Sequence, residues 1–149
     1  MDSDFRKSYL ELKVIWKDDD VLELSVKVSN GRYSGITEVY DTPETLFNFA
    51  RRLEGYPSVN QELFYEAGKK DSYSFFSMRF YKIDSAGQIG VEIMLEENVS
   101  TEYRPEEKDK LKVEIIIVPS AIDDFQKELV NMAKNREGVS ILNGQYNYS

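Results

Sequence analysis

The chain has 149 residues, of which 41% are hydrophobic and 13% aromatic, and its 19 basic and 27 acidic side chains give a formal charge of −8. This length fits one domain with a substantial buried core, and the composition is unlike that of a disordered chain. The absence of cysteine and histidine excludes disulfides, thiolate nucleophiles, Cys/His zinc sites and Ser-His-Asp triads.

The acidic charge also limits the partners. Binding to nucleic acid depends on cations that neutralise phosphates, and the longest basic runs are the pairs Arg51-Arg52 and Lys69-Lys70. We therefore expect no nucleic acid, no membrane surface, and a basic protein as the partner of compatible charge; acidity that serves only solubility is the alternative. The apolar run Ile115–Val118 is far shorter than the ~20 residues of a membrane span, and Met1–Asp4 lacks signal-peptide features. These patterns predict a cytoplasmic protein.

The first forty residues predict three antiparallel strands. Tyr9–Lys17 and Val21–Asn30 alternate between apolar and polar residues, as half-buried strands do. The Asn30-Gly31 pair favours a tight turn into a third strand, Arg32–Tyr40, in which Gly35 marks a bulge or a close backbone approach. The inward side chains of the first strand are predicted to be Leu10, Leu12, Val14 and Trp16.

A helix is predicted directly after the third strand. Asp41 or Thr42 caps its first turn, and Pro43 fits there because proline has no amide hydrogen to leave unpaired. Gly55 suits the left-handed position after the helix, and Pro57 prevents its continuation. The predicted buried stripe consists of Leu46, Phe49, Ala50 and Leu53.

The second half of the chain predicts four more strands and a second helix. The predicted strands are Gln61–Glu66, Ser72–Ile83, Ile89–Glu97 and Leu111–Val118. The second helix starts near Ser120 and stops before Gly138, so residues 1–138 form one domain and residues 139–149 form a flexible tail, with Ile141-Leu142 as a possible anchor. The expected fold is α+β, in the order βββαββββα. It has a single twisted, mostly antiparallel sheet of six or seven strands with two helices on or beside one face.

The strand faces directed away from the helices are more apolar and aromatic than a solvated sheet face. Either the sheet curls and buries them, or they form a recognition or self-association face. Aromatic residues, Met and Arg are enriched in protein interfaces. The candidate partner-binding residues are Ile15, Tyr40, Phe75, Arg79, Tyr81, Met94 and Ile116.

No catalytic, cofactor or metal site is predicted. Asp18–Asp20 is a run of carboxylates, but three consecutive side chains in a hairpin do not all converge on one calcium ion, and a solvated turn is favoured. Carboxylate pairs such as Glu92 with Glu96, or Asp123 with Asp124, are not distinguished by their spacing from other pairs in an acidic chain.

Several segments resemble a small bacterial domain family with no assigned activity. The resemblance covers residues 14–132 and is carried by turn, cap and core positions. The segments are Asn30–Gly35, Val39-Tyr40, the pattern Leu46-Phe49-Ala50-Leu53-Gly55-Tyr56-Pro57, Met78–Gly87 and Ala121–Phe125.

This resemblance implies a fold and transfers no active-site residue. Such small acidic proteins are similar in build to immunity proteins, which neutralise a toxin by binding it. The expected function is a non-enzymatic protein-binding domain of this kind. The alternatives are a small-molecule-binding or carboxylate-based hydrolytic domain with a pocket in the curved sheet, and a homodimer whose interface is the apolar face.

Overall fold

The computed structural model describes residues 7–57, 62–68, 73–85, 87–98 and 108–145. Its elements are β1 (Ser8–Lys17), β2 (Leu22–Asn30), β3 (Ser34–Asp41), α1 (Pro43–Leu53), β4 (Glu62–Gly68), β5 (Ser74–Lys82), β6 (Ile89–Asn98), β7 (Lys108–Ile117), α2 (Pro119–Asn135) and β8 (Val139–Asn143). The α+β class with two helices is confirmed. Several predicted positions lie outside the described residues: 1–4, Gln61, 69–70, Ser72 and 146–149.

The strands form two sheets, and the prediction of a single sheet is wrong. Sheet A has the order β3-β2-β1-β8 and sheet B the order β4-β5-β6-β7, with antiparallel pairing throughout. Each helix connects one sheet to the other, since α1 joins β3 to β4 and α2 joins β7 to β8. Period-two patterns identify the buried face of a strand but not its neighbours. Large twisted antiparallel sheets commonly split into two packed sheets.

One hydrophobic core lies between the inner faces of the two sheets and the apolar sides of both helices. The ring of Phe49 in α1 packs on sheet B, with its centroid 5.1 Å from Tyr65 and 6.0 Å from Phe80. The helices are joined by Gln126 Nε2, which donates a 3.1 Å hydrogen bond to the Ala50 carbonyl oxygen. The core therefore holds both sheets in one unit.

The predicted caps of α1 are confirmed in most details. Thr42, rather than Asp41, is the N-cap residue, and its side chain accepts a hydrogen bond from the Thr45 amide. Pro43 begins the helix, and Gly55 follows it with a φ of 79°, which glycine adopts without the usual steric cost. Asp41 instead ends β3.

Gly35 marks a close approach between the sheets. It pairs with Val28 in regular register, so it is not a bulge. A Cβ atom at this position would lie 2.7 Å from Leu111 Cδ2 of β7. Glycine therefore lets the edge strand of sheet A pass close over sheet B.

A bulge in β1 changes the direction of one side chain. The register with β2 shifts between Val14, which pairs with Leu24, and Trp16, which pairs with Glu23. The extra residue, Ile15, reverses the alternation beyond it. Trp16 therefore lies on the outer face of sheet A with 49% of its surface exposed, and its predicted inward orientation is wrong.

The C-terminal segment also differs from the prediction. Val139–Asn143, predicted as the start of a loose tail, forms β8 and pairs with β1, and Leu142 is fully buried. The chain leaves α2 through Arg136 and Gly138, which have φ values of 57° and 108°. Neither described helix is long and apolar enough to cross a membrane.

Candidate partner-binding face

The predicted partner-binding residues divide between the two sheets. Ile15 and Tyr40 lie on sheet A, with 43% and 56% of their surfaces exposed. The other five lie on outward positions of sheet B, namely Phe75, Arg79, Tyr81, Met94 and Ile116. They therefore do not form one surface, and the larger group is on sheet B.

The cross-strand register of sheet B brings these positions together. Tyr81 pairs with Gly90, and Gly90 pairs with Ile116. In the next outward row, Arg79 lies between Phe64 and Glu92. We define the sheet B face as Phe64, Arg79, Tyr81, Glu92, Met94 and Ile116.

Arg79 is the centre of this face. Its Nη1 lies 3.3 Å from Glu62 Oε2, and its Nη2 lies 3.4 Å from Glu92 Oε2. Lys112 Nζ reaches the same oxygen of Glu92 at 3.6 Å. The guanidinium carbon also lies 4.5 Å from the centroid of the Tyr81 ring, within the range of a cation–π contact. The carboxylates of Glu62 and Glu92 and the ring of Tyr81 thus hold the Arg79 guanidinium in one position.

A glycine provides the position for the Tyr81 ring. A Cβ atom on Gly90 would lie 2.5 Å from Tyr81 Cζ, so the ring lies directly over the glycine backbone. An aromatic ring placed across a strand glycine covers the backbone there. The backbone of Gly90 therefore fixes the position of the Tyr81 ring, and the ring in turn supports the Arg79 guanidinium.

Two phenylalanines at outward positions of sheet B differ in their exposure. Phe64 is 46% exposed and is not among the predicted site residues; its neighbours Leu63 and Tyr65 point inward, so Phe64 points outward. Phe75 has the predicted outward register, but only 4% of it is exposed. Its ring thus offers almost no surface to a partner.

The carboxylates of Glu92, Glu96 and Asp18 have different surroundings, and the buried Oε1 of Glu96 has no hydrogen-bond partner among the described residues. Glu92 is paired with Arg79 and Lys112, and only 1% of Glu96 is exposed. Asp18 Oδ1 accepts hydrogen bonds from the Asp20 and Val21 amides, so it caps its own turn. Within the described ranges, no group of three acidic residues is placed to hold a metal ion.

One titratable pair lies where β3 and β4 meet. The Tyr65 hydroxyl donates a hydrogen bond to Asp41 Oδ2, and the Thr42 amide donates one of 2.8 Å to Oδ1. Burial raises the pKa of Asp41 above its usual value, although both hydrogen bonds act in the opposite direction. Burial and the Asp41 carboxylate together raise the pKa of Tyr65 well above its usual value. The two groups satisfy each other and link the sheets.

Two concavities formed by described residues are of ligand size. One, of about 540 Å³, lies on the outer face of sheet A and includes Tyr9 and Glu11 in its lining. The other, of about 820 Å³, lies between α1 and α2 and is lined in part by Phe47, Glu54 and Asp123. A pocket for carboxylate chemistry needs an apolar enclosure with converging acids. The first concavity contains a single carboxylate, and neither is enclosed by the curved sheet in the predicted way.

Comparisons of the chain with protein-family models, with curated proteins and with solved structures found no match.

Proposed function

We propose that the protein is a non-enzymatic binding domain that engages a protein partner through the sheet B face. The fixed position of Arg79 carries this proposal, since the side chain is held by Glu62 and Glu92 and stacks on Tyr81. Arginine and tyrosine are the residue types that most often dominate binding energy. A side chain already ordered in the free protein loses less entropy on binding.

The charges around Arg79 favour a basic partner. The outward positions of sheet B carry more carboxylates than cations. The acidic residues that reach the surface are Glu62, Glu66, Glu92 and Glu114, and the basic ones are Arg79, Lys110 and Lys112. The whole chain has the same sign, with a formal charge of −8. Complementary charge accelerates encounter and disfavours acidic partners. An immunity-type role, in which the protein neutralises a partner by binding it, is consistent with this charge.

The exposure of Phe64 also supports the proposal that the sheet B face contacts a partner. The residue is 46% exposed and pairs with Arg79 of the neighbouring strand. An exposed aromatic side chain next to an ordered arginine provides apolar area beside a directional charged group, as in the centres of many interfaces.

The test compares three purified proteins as baits in extracts of the source cells. They are the wild type, a double variant Phe64→Ser/Tyr81→Ser, and the control Tyr33→Ser, which alters a 65% exposed tyrosine in the β2–β3 turn. We expect a stoichiometric partner with the wild type and the control, lost from the double variant and weakened by salt. With the purified partner, calorimetry should show a loss of affinity of about 30-fold or more.

Two results would contradict the proposal. One is equal retention of the partner by all three baits, provided that circular dichroism shows the same fold for each. The other is recovery of the bait's own chain alone, with a dimer by light scattering that the double variant dissociates. The second result would assign the face to self-association.

A further inference from the structure

Trp16 and Tyr40 form an exposed aromatic pair on the outer face of sheet A. Their ring centroids are 6.4 Å apart and the rings are nearly perpendicular, at 84°. In the register of sheet A, Glu23 lies between them, paired with Trp16 on one side and with Tyr40 on the other. Their Cα atoms are thus two strand spacings apart, roughly 9.5 Å. The rings therefore lean towards each other above Glu23.

The bulge at Ile15 creates this pair. Regular alternation would direct Trp16 into the core with Val14, whereas the extra residue places it opposite Glu23 on the outer face. Bulges frequently re-aim a side chain next to a functional site. The pair therefore depends on a local change of register, and leaves 49% of Trp16 and 56% of Tyr40 exposed.

The carboxylate of Glu23 makes this position suited to a cation. Glu23 is half-buried, and within the described part of the chain no salt bridge includes it. The acidic turn Asp18–Asp20 connects the two strands that carry Trp16 and Glu23. The negative charge of Glu23, on the strand between the two rings, lowers the local potential, and the rings' negative faces add to that effect.

The ring geometry admits a cation in contact with both rings. Two perpendicular rings at this centroid separation allow a group to lie about 4.5 Å from each centroid, inside the ~6 Å reach of a cation–π interaction. A guanidinium group fits the combination best, because it stacks on aromatic faces and also donates paired hydrogen bonds to a carboxylate. A quaternary ammonium has no N–H group for Glu23.

We propose that Trp16, Glu23 and Tyr40 bind an arginine side chain presented by a peptide segment of a partner protein. The site is shallow, with both rings about half exposed, so neighbouring residues of a peptide supply contact area that a free small cation lacks. This inference does not depend on the role of the sheet B face, because the three residues belong to sheet A.

Trp16 is the sole tryptophan of the chain, so its indole N–H gives a single resonance that reports on this site. The probe is a short neutral peptide with one central arginine, titrated into isotope-labelled protein and followed by heteronuclear NMR. We expect a saturable shift of the indole resonance at millimolar peptide, weaker binding of the matched lysine peptide, and no shift with the citrulline peptide, which has the same shape without the charge.

Matched variants localise the effect. Glu23→Gln and Tyr40→Leu should each weaken binding of the arginine peptide tenfold or more, whereas Tyr33→Leu in the β2–β3 turn should leave it unchanged. Spectra of each free variant verify the fold. A shift that never saturates, an equal response to citrulline, or unchanged binding by Glu23→Gln would overturn the proposal. Saturation by tetramethylammonium at lower concentration than by the arginine peptide would overturn the assignment to arginine.

Discussion

The Tyr65 hydroxyl in β4 donates a hydrogen bond to the Asp41 carboxylate at the end of β3, and so connects the edge strands of two different sheets. The phenol ring packs at the same time on Phe49 of α1. One side chain thus links sheet A, sheet B and the helix between them. The protonation of this pair should therefore affect the stability of the whole fold.

Replacement of Asp41 by asparagine should change how stability depends on pH. Burial raises the pKa of the Asp41 carboxyl above 3.8 in the folded protein, so the folded state keeps a proton that the unfolded chain has released. The resulting stability is fully present below the unfolded pKa and is lost as the pH rises through the folded pKa. The free energy of unfolding of the wild type, minus that of Asp41→Asn, should therefore fall between pH 3 and pH 7. Urea denaturation across this range measures it. A difference that grows with pH would show that the hydrogen bonds outweigh burial.

Replacement of Tyr65 by phenylalanine should cost about 1–2 kcal/mol at neutral pH, because the partly buried Asp41 carboxylate loses a donor. This deficit relative to the wild type should shrink at alkaline pH. Burial and the Asp41 charge hold the pKa of Tyr65 well above 10.0, so wild-type stability is lost as the pH rises from about 10 through the folded pKa. Chemical denaturation at pH 7 and above pH 10 tests both parts. Tyr73→Phe, at an 81% exposed position, is the control and should change stability by less than about 0.5 kcal/mol.

Replacement of Gly35 by alanine should destabilise the protein by about 1–3 kcal/mol. The new methyl group would overlap Leu111 Cδ2, which lies 2.7 Å from the Cβ position. Truncation of Leu111 to alanine removes that atom. In a Leu111→Ala background, Gly35→Ala should therefore lower the free energy of unfolding much less than it does in the wild type. A double-mutant cycle, measured by thermal or chemical denaturation, gives the interaction free energy between positions 35 and 111. Additive effects of the two substitutions would contradict a direct contact between the sheets at this point.

Replacement of Arg79 by glutamine should have little effect on stability. Ion pairs at partly exposed positions contribute about 0–1 kcal/mol, and the Arg79 side chain is 33% exposed. Lys112→Gln, which removes a 3.6 Å contact with the same Glu92, is the matched control and should behave similarly. Denaturation curves distinguish a structural role of the Arg79 cluster from a role in binding. A loss above about 2 kcal/mol for Arg79→Gln alone would mark the cluster as structural rather than as a surface kept for binding.

Local chemistry explains the parts of the fold that the sequence predicts well. The turn at Asn30-Gly31 is confirmed, since Gly31 has a φ of 95° and Asn30 Oδ1 accepts hydrogen bonds from the Arg32 and Tyr33 amides. The start and stop of α1 likewise depend on residues within one turn of its ends. These features depend on contacts between residues that are close in the sequence, so the residue types at those positions are enough to predict them.

Pairing between distant segments explains what the sequence does not predict. The alternation of β1 places Trp16 inward, and no residue at the bulge differs in type from an ordinary strand residue; only the pairing of Trp16 with Glu23 reveals the shift. The face of Phe75 is predicted correctly, but its 4% exposure depends on tertiary packing. The outward position of Phe64 is not evident from the sequence because Leu63, Phe64 and Tyr65 are consecutive apolar or aromatic residues, whereas their burial in the structure alternates.

The pairing of β1 with both β2 and β8 has a consequence for biosynthesis. Leu10 pairs with Val28, which leaves the ribosome soon after it, and also with Leu142. One edge of β1 therefore stays open while the chain between them is translated. Contacts between such distant segments form slowly, and an open strand edge is a template for pairing with other chains. Addition of β8 is thus the step that pairs this edge of β1 and leaves the shorter β8 as the edge strand of sheet A, and interruption of translation before it should favour aggregation.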